Sequence, residues 1–124
     1  EVNRAAIRRM AESTAAAYRC TARVEFETTA KVVYNDSRLT DIAVSASEKI
    51  LGKGNVTEQP LSLGAEDFAE YQAVCPVTYL NVGSRNEKLG ITAPHHHGSF
   101  DIDEDCLPVS MAAYVQFVYD YFSE

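Results

Sequence analysis

The chain has 124 residues, of which 46% are apolar, and this is enough for one domain with a hydrophobic core. Its formal net charge of −7 argues against a nucleic-acid partner, because phosphate-binding surfaces need clustered lysine and arginine. No apolar stretch approaches the length of a membrane span, and no secretory leader pattern opens the sequence. Neither a nucleic acid nor a membrane is therefore predicted as a partner.

The three cysteines, Cys20, Cys75 and Cys106, are odd in number, widely spaced and without a CxxC pair. This usage is typical of reduced residues in a cytoplasmic protein. A nucleophilic cysteine is the alternative, although no neighbouring residue favours it.

The first half of the chain alternates helix and strand. Apolar periodicity predicts a helix over residues 3–19, and β-branched and aromatic residues predict a half-exposed strand over 21–34. Asn35-Asp36-Ser37 interrupts the strand and supplies N-cap candidates for a second helix, which Gly52 ends.

The second half continues this alternation less regularly. Residues 55–59 are a candidate short strand, a short helix opens at 64–68 with two acids in its first turn, and 77–82 is a compact apolar strand. The segment 83–105 shows no periodicity, which is typical of a functional or disordered loop. The last helix, about 108–122, is apolar on more than one face, so we expect heavy burial.

All three histidines of the chain lie in that loop, at His95, His96 and His97, and carboxylates follow them. Imidazole and carboxylate are ligands of divalent transition metals. In an extended segment His95 and His97 would share one side, which leaves one metal ligand, one orienting or substrate-contacting neighbour and one exposed ring. Asp101 or Asp103 is the candidate to orient a ligating ring. A solvated polar loop, or the remnant of a purification tag, is the alternative.

Four motifs follow one another in a recognisable order. They are Asn35-Asp36, Pro60-Leu61-Ser62-Leu63-Gly64-Ala65-Glu66-Asp67-Phe68, Leu80-Asn81-Val82-Gly83 and His96-His97-Gly98-Ser99-Phe100-Asp101-Ile102-Asp103-Glu104. Together they resemble the C-terminal third of the zinc-dependent amidohydrolases, which include hippurate hydrolase, aminoacylase, N-acyl-amino-acid deacetylases and auxin-conjugate hydrolases.

The resemblance implies an α/β fold in two parts. Residues 1–34 would be the last helix and strand of an α+β, ferredoxin-like lid domain that often serves for dimerisation. Residues 35–124 would be the C-terminal part of an α/β/α catalytic domain. The boundary is expected near residues 34–37.

The resemblance also implies a metal ligand. Aligned on Phe100-Asp101, the family's final metal-binding histidine falls on His96, with a one-residue shift onto His95 or His97 still open. The family's other metal motifs and its general-base glutamate have no counterpart in this sequence. A divalent metal, zinc or else manganese, cobalt or nickel, is thus implied for the complete enzyme, with none tightly bound by this chain alone.

Five further residues are candidates for substrate contact or for support of the site. They are His97, Asp101, Asn35 at the lid hinge, Gly83 as a point of close backbone approach, and Glu66. For four of them a simpler interpretation stands beside this one: His97 as loop surface, Asn35 as a turn residue, Gly83 as an ordinary strand end, and Glu66 as the start of a helix.

Two functions from different classes follow. The first is part of a metal-dependent amidohydrolase that uses metal-activated water to cleave the amide bond of N-acyl amino acids or small peptides. The second is a non-catalytic fragment that self-associates, as a homo-oligomer, through the unpaired strand at 22–33. An acidic α/β domain of unrelated function is a third possibility.

Overall fold

The computed structural model describes residues 1–28 and 30–123, and within them regular structure is helical. The α-helices are α1 (Val2–Ala17), α2 (Ser37–Leu51) and α3 (Cys106–Ser123). Two 3₁₀ helices, Asp67–Ala73 and Glu87–Leu89, lie between α2 and α3. The helices predicted over 3–19 and 108–122 are confirmed as α1 and α3.

Helix α2 begins and ends where its local sequence predicts. The Asp36 side chain accepts a hydrogen bond of 3.0 Å from the backbone N–H of Leu39, which satisfies one of the free donors of the first turn. Gly52 follows the helix with φ +84°, a backbone conformation that few other residues adopt, and its N–H bonds to the Glu48 carbonyl.

Most of the buried residues lie on α2, which packs against α3. Ile42, Ala43, Ala46 and Ser47 of α2 are buried, and the two alanines are fully inaccessible. Because alanine side chains are short, the two helices can approach each other closely along this line. Two further residues, Ala69 and Val77, are buried outside this helix pair.

A polar cluster sits at the edge of the same helix pair. Lys49 of α2 donates a hydrogen bond of 2.7 Å to Asp120 Oδ1 of α3, and Gln116 donates to the same oxygen at 2.9 Å. The Lys49 bond is the main reason that the pKa of Asp120 is lowered from its ordinary value. The guanidinium of Arg38 also lies over the ring of Tyr121, 5.3 Å from its centroid.

The expected heavy burial of the last helix is wrong for this structure. No described residue of α3 is buried, although one side of the helix packs on α2 and is partly covered. The apolar residues on its other side face outward, because the described chain has no element that covers them. No helix in the described ranges is long and apolar enough to cross a membrane.

The strands predicted over 21–34, 55–59 and 77–82 are not formed in the described residues. Regular pairing there is limited to one isolated antiparallel bridge, between Asn86 and Ile91. A strand is defined by its hydrogen-bonded partner, and these segments meet no backbone ladder. The helical part of the α/β prediction is therefore confirmed, while the lid and the α/β/α description stay predictions. Thr29 and Glu124, which those predictions include, lie outside the described residues.

In the segment after α1, side chains form hydrogen bonds with backbone groups that a sheet would otherwise pair. Gln72 accepts a hydrogen bond from the Tyr34 N–H at 2.6 Å and donates one to the Val32 carbonyl at 2.9 Å. Near the start of the chain, Arg4 and Arg8 of α1 lie over the ring of Phe26, at 5.6 and 5.7 Å from its centroid. These contacts hold the irregular segment after α1 against its neighbours without a sheet.

Candidate functional site

The histidines lie in two consecutive turns. The His97 N–H bonds to the Pro94 carbonyl at 3.3 Å, and the Phe100 N–H bonds to the His97 carbonyl at 2.9 Å. His96 has φ +64°, the left-handed conformation that the third position of a type II turn requires. The side alternation expected for an extended segment therefore does not apply to these residues.

The three imidazole rings have different surroundings. The ring of His95 packs edge-on against Phe100, with centroids 5.0 Å apart and planes at 82°. His97 Nδ1 accepts a hydrogen bond from the Ser99 N–H at 3.1 Å. In the described conformation this hydrogen bond occupies Nδ1 of His97.

His96 differs from both of its neighbours. Among the described residues its ring makes no hydrogen bond, ion pair or ring contact, and the residue is exposed at the apex of the turn. Either nitrogen of this imidazole is therefore free to bind an incoming ligand.

The acidic residues after the histidines hold the base of the loop. Asp103 accepts a hydrogen bond of 2.6 Å from the Asn86 amide, and its own N–H bonds to the Ser84 carbonyl at 2.9 Å. The Asn86 bond, followed by one from the Asp105 N–H, lowers the pKa of Asp103. The carboxylate of Asp101 accepts from the neighbouring Ile102 N–H at 2.8 Å. These bonds position the loop, and neither carboxylate is directed by them to a histidine ring.

Asn86 is a residue that the sequence analysis missed. Besides binding Asp103, its side chain accepts hydrogen bonds from the N–H groups of Lys88 and Leu89, so it caps the second 3₁₀ helix. The asparagine placed just before Glu87–Leu89 and Gly90 is a local signal for this turn. No signal in the local sequence predicts the hydrogen bond between Asn86 and Asp103.

Two predicted residues, Asn35 and Glu66, are brought together through Tyr79. Asn35 Oδ1 accepts from the Tyr79 N–H at 2.9 Å, and its Nδ2 donates to the Tyr79 carbonyl at 3.4 Å. The Tyr79 hydroxyl donates to Glu66 Oε2 at 3.2 Å. Partial burial, and then the charge of Glu66, raise the pKa of this phenol. The other oxygen of Glu66 accepts from the Phe68 N–H, which confirms Glu66 as a helix start.

Gly83 has open space around it. No atom lies within 4 Å of the position that a Cβ would take, and its φ is not in the left-handed region. In the described chain neither crowding nor backbone conformation requires a glycine at this position.

The described residues do not form a complete metal centre. They contain no group of three or more histidine, cysteine, aspartate or glutamate side chains arranged to hold one ion. Zinc sites normally use three or four protein ligands, so His96 fits a metal only as one ligand of a larger set.

Comparison with known proteins decides the family. Residues 5–120 match the peptidase family M20/M25/M40. The chain belongs to this family. It is 33% identical over 109 residues to the IAA-amino acid hydrolase ILR1-like 6 of Arabidopsis thaliana, covering 85% of the chain and 24% of that protein. It is 34% identical over 109 residues to thermostable carboxypeptidase 1 of Saccharolobus solfataricus, covering 87% of the chain and 27% of that protein.

The resemblance to amidohydrolases is confirmed as membership of the M20/M25/M40 family. The chain spans about a quarter of the length of these relatives. No solved structure matches it significantly.

Proposed function

We propose that the chain supplies part of an M20-type hydrolase that cleaves a linear amide bond next to an amino acid. Membership of the family supports this proposal, and so do the names of two relatives, one an IAA-amino acid hydrolase and the other a carboxypeptidase. N-acyl amino acids and small peptides share the bond that such enzymes attack, so they are the substrate class.

The contribution of this chain would be His96 as a metal ligand. The observation that carries this assignment is the free imidazole at the apex of the turn, between one ring packed on Phe100 and another bonded to the Ser99 N–H. Zinc, or another divalent metal such as manganese, cobalt or nickel, is the cofactor proposed. Because the described part of the chain offers one proposed ligand and no glutamate placed as a general base, we assign no step of the hydrolysis to its own side chains.

A chimeric enzyme tests the assignment. Residues 1–124 replace the matched region of thermostable carboxypeptidase 1, and both metal content and hydrolysis of an N-acyl amino acid are measured. His96→Asn is the informative variant, because asparagine tolerates the left-handed backbone at this position but removes the imidazole. We expect it to lose bound metal and activity, whereas His95→Asn and His97→Asn retain metal.

Two results would contradict this proposal. Full metal content in the His96→Asn chimera would exclude His96 as a ligand. Loss of metal on substitution of His97 alone would identify His97, and not His96, as the metal ligand. Thermal unfolding in the presence of a chelator serves as the control, since it shows whether each variant is folded.

A second candidate function, self-association without catalysis, is favoured by one feature of the structure. No residue of α1 is buried, and the segment 21–28 has the composition of a strand but no backbone partner among the described residues. Such a segment is a template for pairing with a second copy. Native mass spectrometry of the chain and of Phe26→Pro tests this function, because proline removes a backbone donor. A monomeric wild-type chain would eliminate it.

A further inference from the structure

The N-terminal part of the chain, residues 1–34, contributes no buried residue to the structure. Among the described residues that precede Ile42, none is buried. Helix α1 packs against none of the other helices in the described chain. Burial of apolar side chains, which is the usual source of attraction between elements of a protein, therefore contributes little to holding residues 1–34 in place.

Polar contacts hold this part of the chain instead. Every hydrogen bond and ion pair described between residues 1–34 and the residues after them involves Glu70 or Gln72, which lie on the 3₁₀ helix Asp67–Ala73. Lys31 Nζ donates a hydrogen bond to Glu70 Oε2 at 2.8 Å, and both side chains are 58% exposed. The contact is thus confined to residues 31–34, which we call the linker segment, and to two side chains opposite it.

Gln72 binds the backbone of the linker segment at two points. Its Oε1 accepts from the Tyr34 N–H at 2.6 Å, and its Nε2 donates to the Val32 carbonyl at 2.9 Å. The same Nε2 donates to the Ala69 carbonyl of its own turn at 2.9 Å, which fixes the direction of the side chain. Because a glutamine amide offers donors and an acceptor, as a peptide backbone does, Gln72 replaces one residue of a neighbouring strand.

Two side chains of the linker segment are turned to solvent. Val32 is 80% exposed and Tyr34 is 81% exposed, and the Val33 N–H makes no hydrogen bond to a described residue. An ion pair between exposed groups, such as Lys31 with Glu70, contributes little to stability. The amide of Gln72 is therefore the stronger part of the contact, and the free energy needed to break it is small compared with that of unfolding a packed helix pair.

The chain is held more firmly directly after the linker segment. The Asp36 N–H bonds to the Val77 carbonyl at 2.8 Å, and the Asp36 side chain caps α2. Buried residues begin with Ile42, where α2 packs against α3. Two regions of different stability thus meet at residues 34–36.

We propose that Gln72, with Glu70 beside it, forms a clasp on the linker segment, and that this clasp opens while α2 and α3 stay folded. Opening frees the Val32 carbonyl and the Tyr34 N–H and releases residues 1–34 from the rest of the described chain. A ligand or partner that prefers one of the two forms can shift this equilibrium with a small differential affinity, because the forms differ by a few exposed bonds. The inference concerns the chain itself and does not depend on the proposed hydrolase function.

Hydrogen exchange of the wild-type chain, measured by NMR, is the first test. The Tyr34 amide should exchange more slowly than the Val33 amide, which has no described partner, and faster than the amide of Ala46 inside α2. A Tyr34 amide that exchanges as fast as that of Val33 would show that the clasp does not form. A Tyr34 amide as protected as that of Ala46 would show that it opens only on global unfolding.

Limited proteolysis with chymotrypsin is the second test, and the chain supplies its own control. The side chains of Tyr18 and Tyr34 are similarly exposed, at 78% and 81%, but only the backbone of Tyr34 is bound by Gln72. Cleavage follows the population of the open form when opening is fast. Gln72→Ala should therefore accelerate cleavage after Tyr34 about tenfold, through loss of two backbone hydrogen bonds, and leave cleavage after Tyr18 unchanged.

Three further variants separate the parts of the clasp. Gln72→Met keeps the length of the side chain without its amide and should behave like Gln72→Ala. Glu70→Gln removes only the exposed ion pair, so the acceleration should stay below about threefold. Gln59→Ala is the matched control, because this glutamine accepts from the Asn81 side chain and makes no hydrogen bond to the linker segment. It should leave cleavage after Tyr34 unchanged.

Two results of these variants would overturn the proposal. Unchanged cleavage after Tyr34 in both Gln72 variants would show that the amide does not hold the linker segment. Equal acceleration at Tyr18 and Tyr34, or faster exchange of the Ala46 amide by the same factor as Tyr34, would show that the substitution loosens the whole chain and not the clasp.

Discussion

The clearest quantitative prediction concerns Asn35, whose side chain pairs with the backbone of Tyr79. The acceptor bond to Asn35 Oδ1 is 2.9 Å long and of ordinary strength, whereas the donor bond at 3.4 Å is near the limit of a hydrogen bond. Asn35→Ala removes both bonds. Because one of them is weak and both are exposed, the free energy of unfolding should fall by about 1 kcal/mol, the value of one good hydrogen bond.

Asn35→Asp is the matched control for this prediction. It keeps an oxygen acceptor for the Tyr79 N–H and loses only the weaker bond, so its free energy of unfolding should stay within about 0.5 kcal/mol of the wild type. Urea unfolding followed by circular dichroism measures both variants. Hydrogen exchange of the Tyr79 amide supplies a local readout, which should become faster in Asn35→Ala and change little in Asn35→Asp.

Equal losses in the two variants would refute the hydrogen-bond reasoning, because the acceptor at position 35 would then make no difference. No loss in either would show that the pairing does not persist in solution. The same pair also separates the structural role of Asn35 from the proposed contact with substrate. In the chimeric enzyme, an Asn35→Asp variant with normal stability and lower activity would favour that contact.

Three further predictions concern α2 and its contact with α3. Asp36→Ala should lower the free energy of unfolding by about 1 kcal/mol through loss of the N-cap, while Asp36→Asn should match the wild type in the same urea experiment. Ala46→Leu should cost about 1–3 kcal/mol by overpacking a fully buried position, whereas Val44→Leu, at a position 36% exposed, should be nearly neutral in thermal unfolding. The pKa of Asp120 is lowered chiefly by its bond from Lys49, so this stabilisation is present above the ordinary aspartate value of 3.8 and lost as the pH falls below it. The stability difference between wild type and Asp120→Asn should therefore close at acid pH; a difference that is constant with pH would contradict the assignment.

The helices could be predicted from the sequence because their signals are local. Asp36 and Gly52 mark the two ends of α2 within a few residues of the bonds they make, and Glu66 marks the start of a 3₁₀ helix in the same way. The apolar periodicity of α1 predicts a helix over 3–19, and the structure has it at Val2–Ala17. Each of these elements satisfies its own backbone hydrogen bonds, so no distant partner had to be known.

Strands and burial could not be predicted in the same way. The composition of 21–34 and 77–82 is that of strands, but a ladder needs a second segment with free donors and acceptors beside it. The burial of α3 likewise depends on what lies against its second side. Apolar residues indicate which surfaces are suited to a partner, and they do not reveal whether the partner is present.

The conformation of the histidine segment differs from the extended one that the sequence predicts. A motif indicates His96, but a left-handed backbone is uncommon at any residue other than glycine, even though histidine, like asparagine and aspartate, adopts it more often than most. Pro94 and Gly98 are residues that favour turns, and they could have indicated that the segment is not extended. Pairs such as Asn86 with Asp103 join residues far apart in the chain, so their proximity becomes visible only in three dimensions.

The bonds between Asp103 and both Ser84 and Asn86 have a further consequence for the segment that carries the histidines. They join the two ends of that segment through protein contacts alone, so the entropy of closing the loop is already lost before any ligand arrives. An ion that binds at His96 would have to immobilise only the tip of the loop, where the two turns lie. The imidazole of His96 is thus a partly preorganised donor. If the amide of Asn86 were removed, binding of an ion would also have to order the loop, and its affinity would be lower.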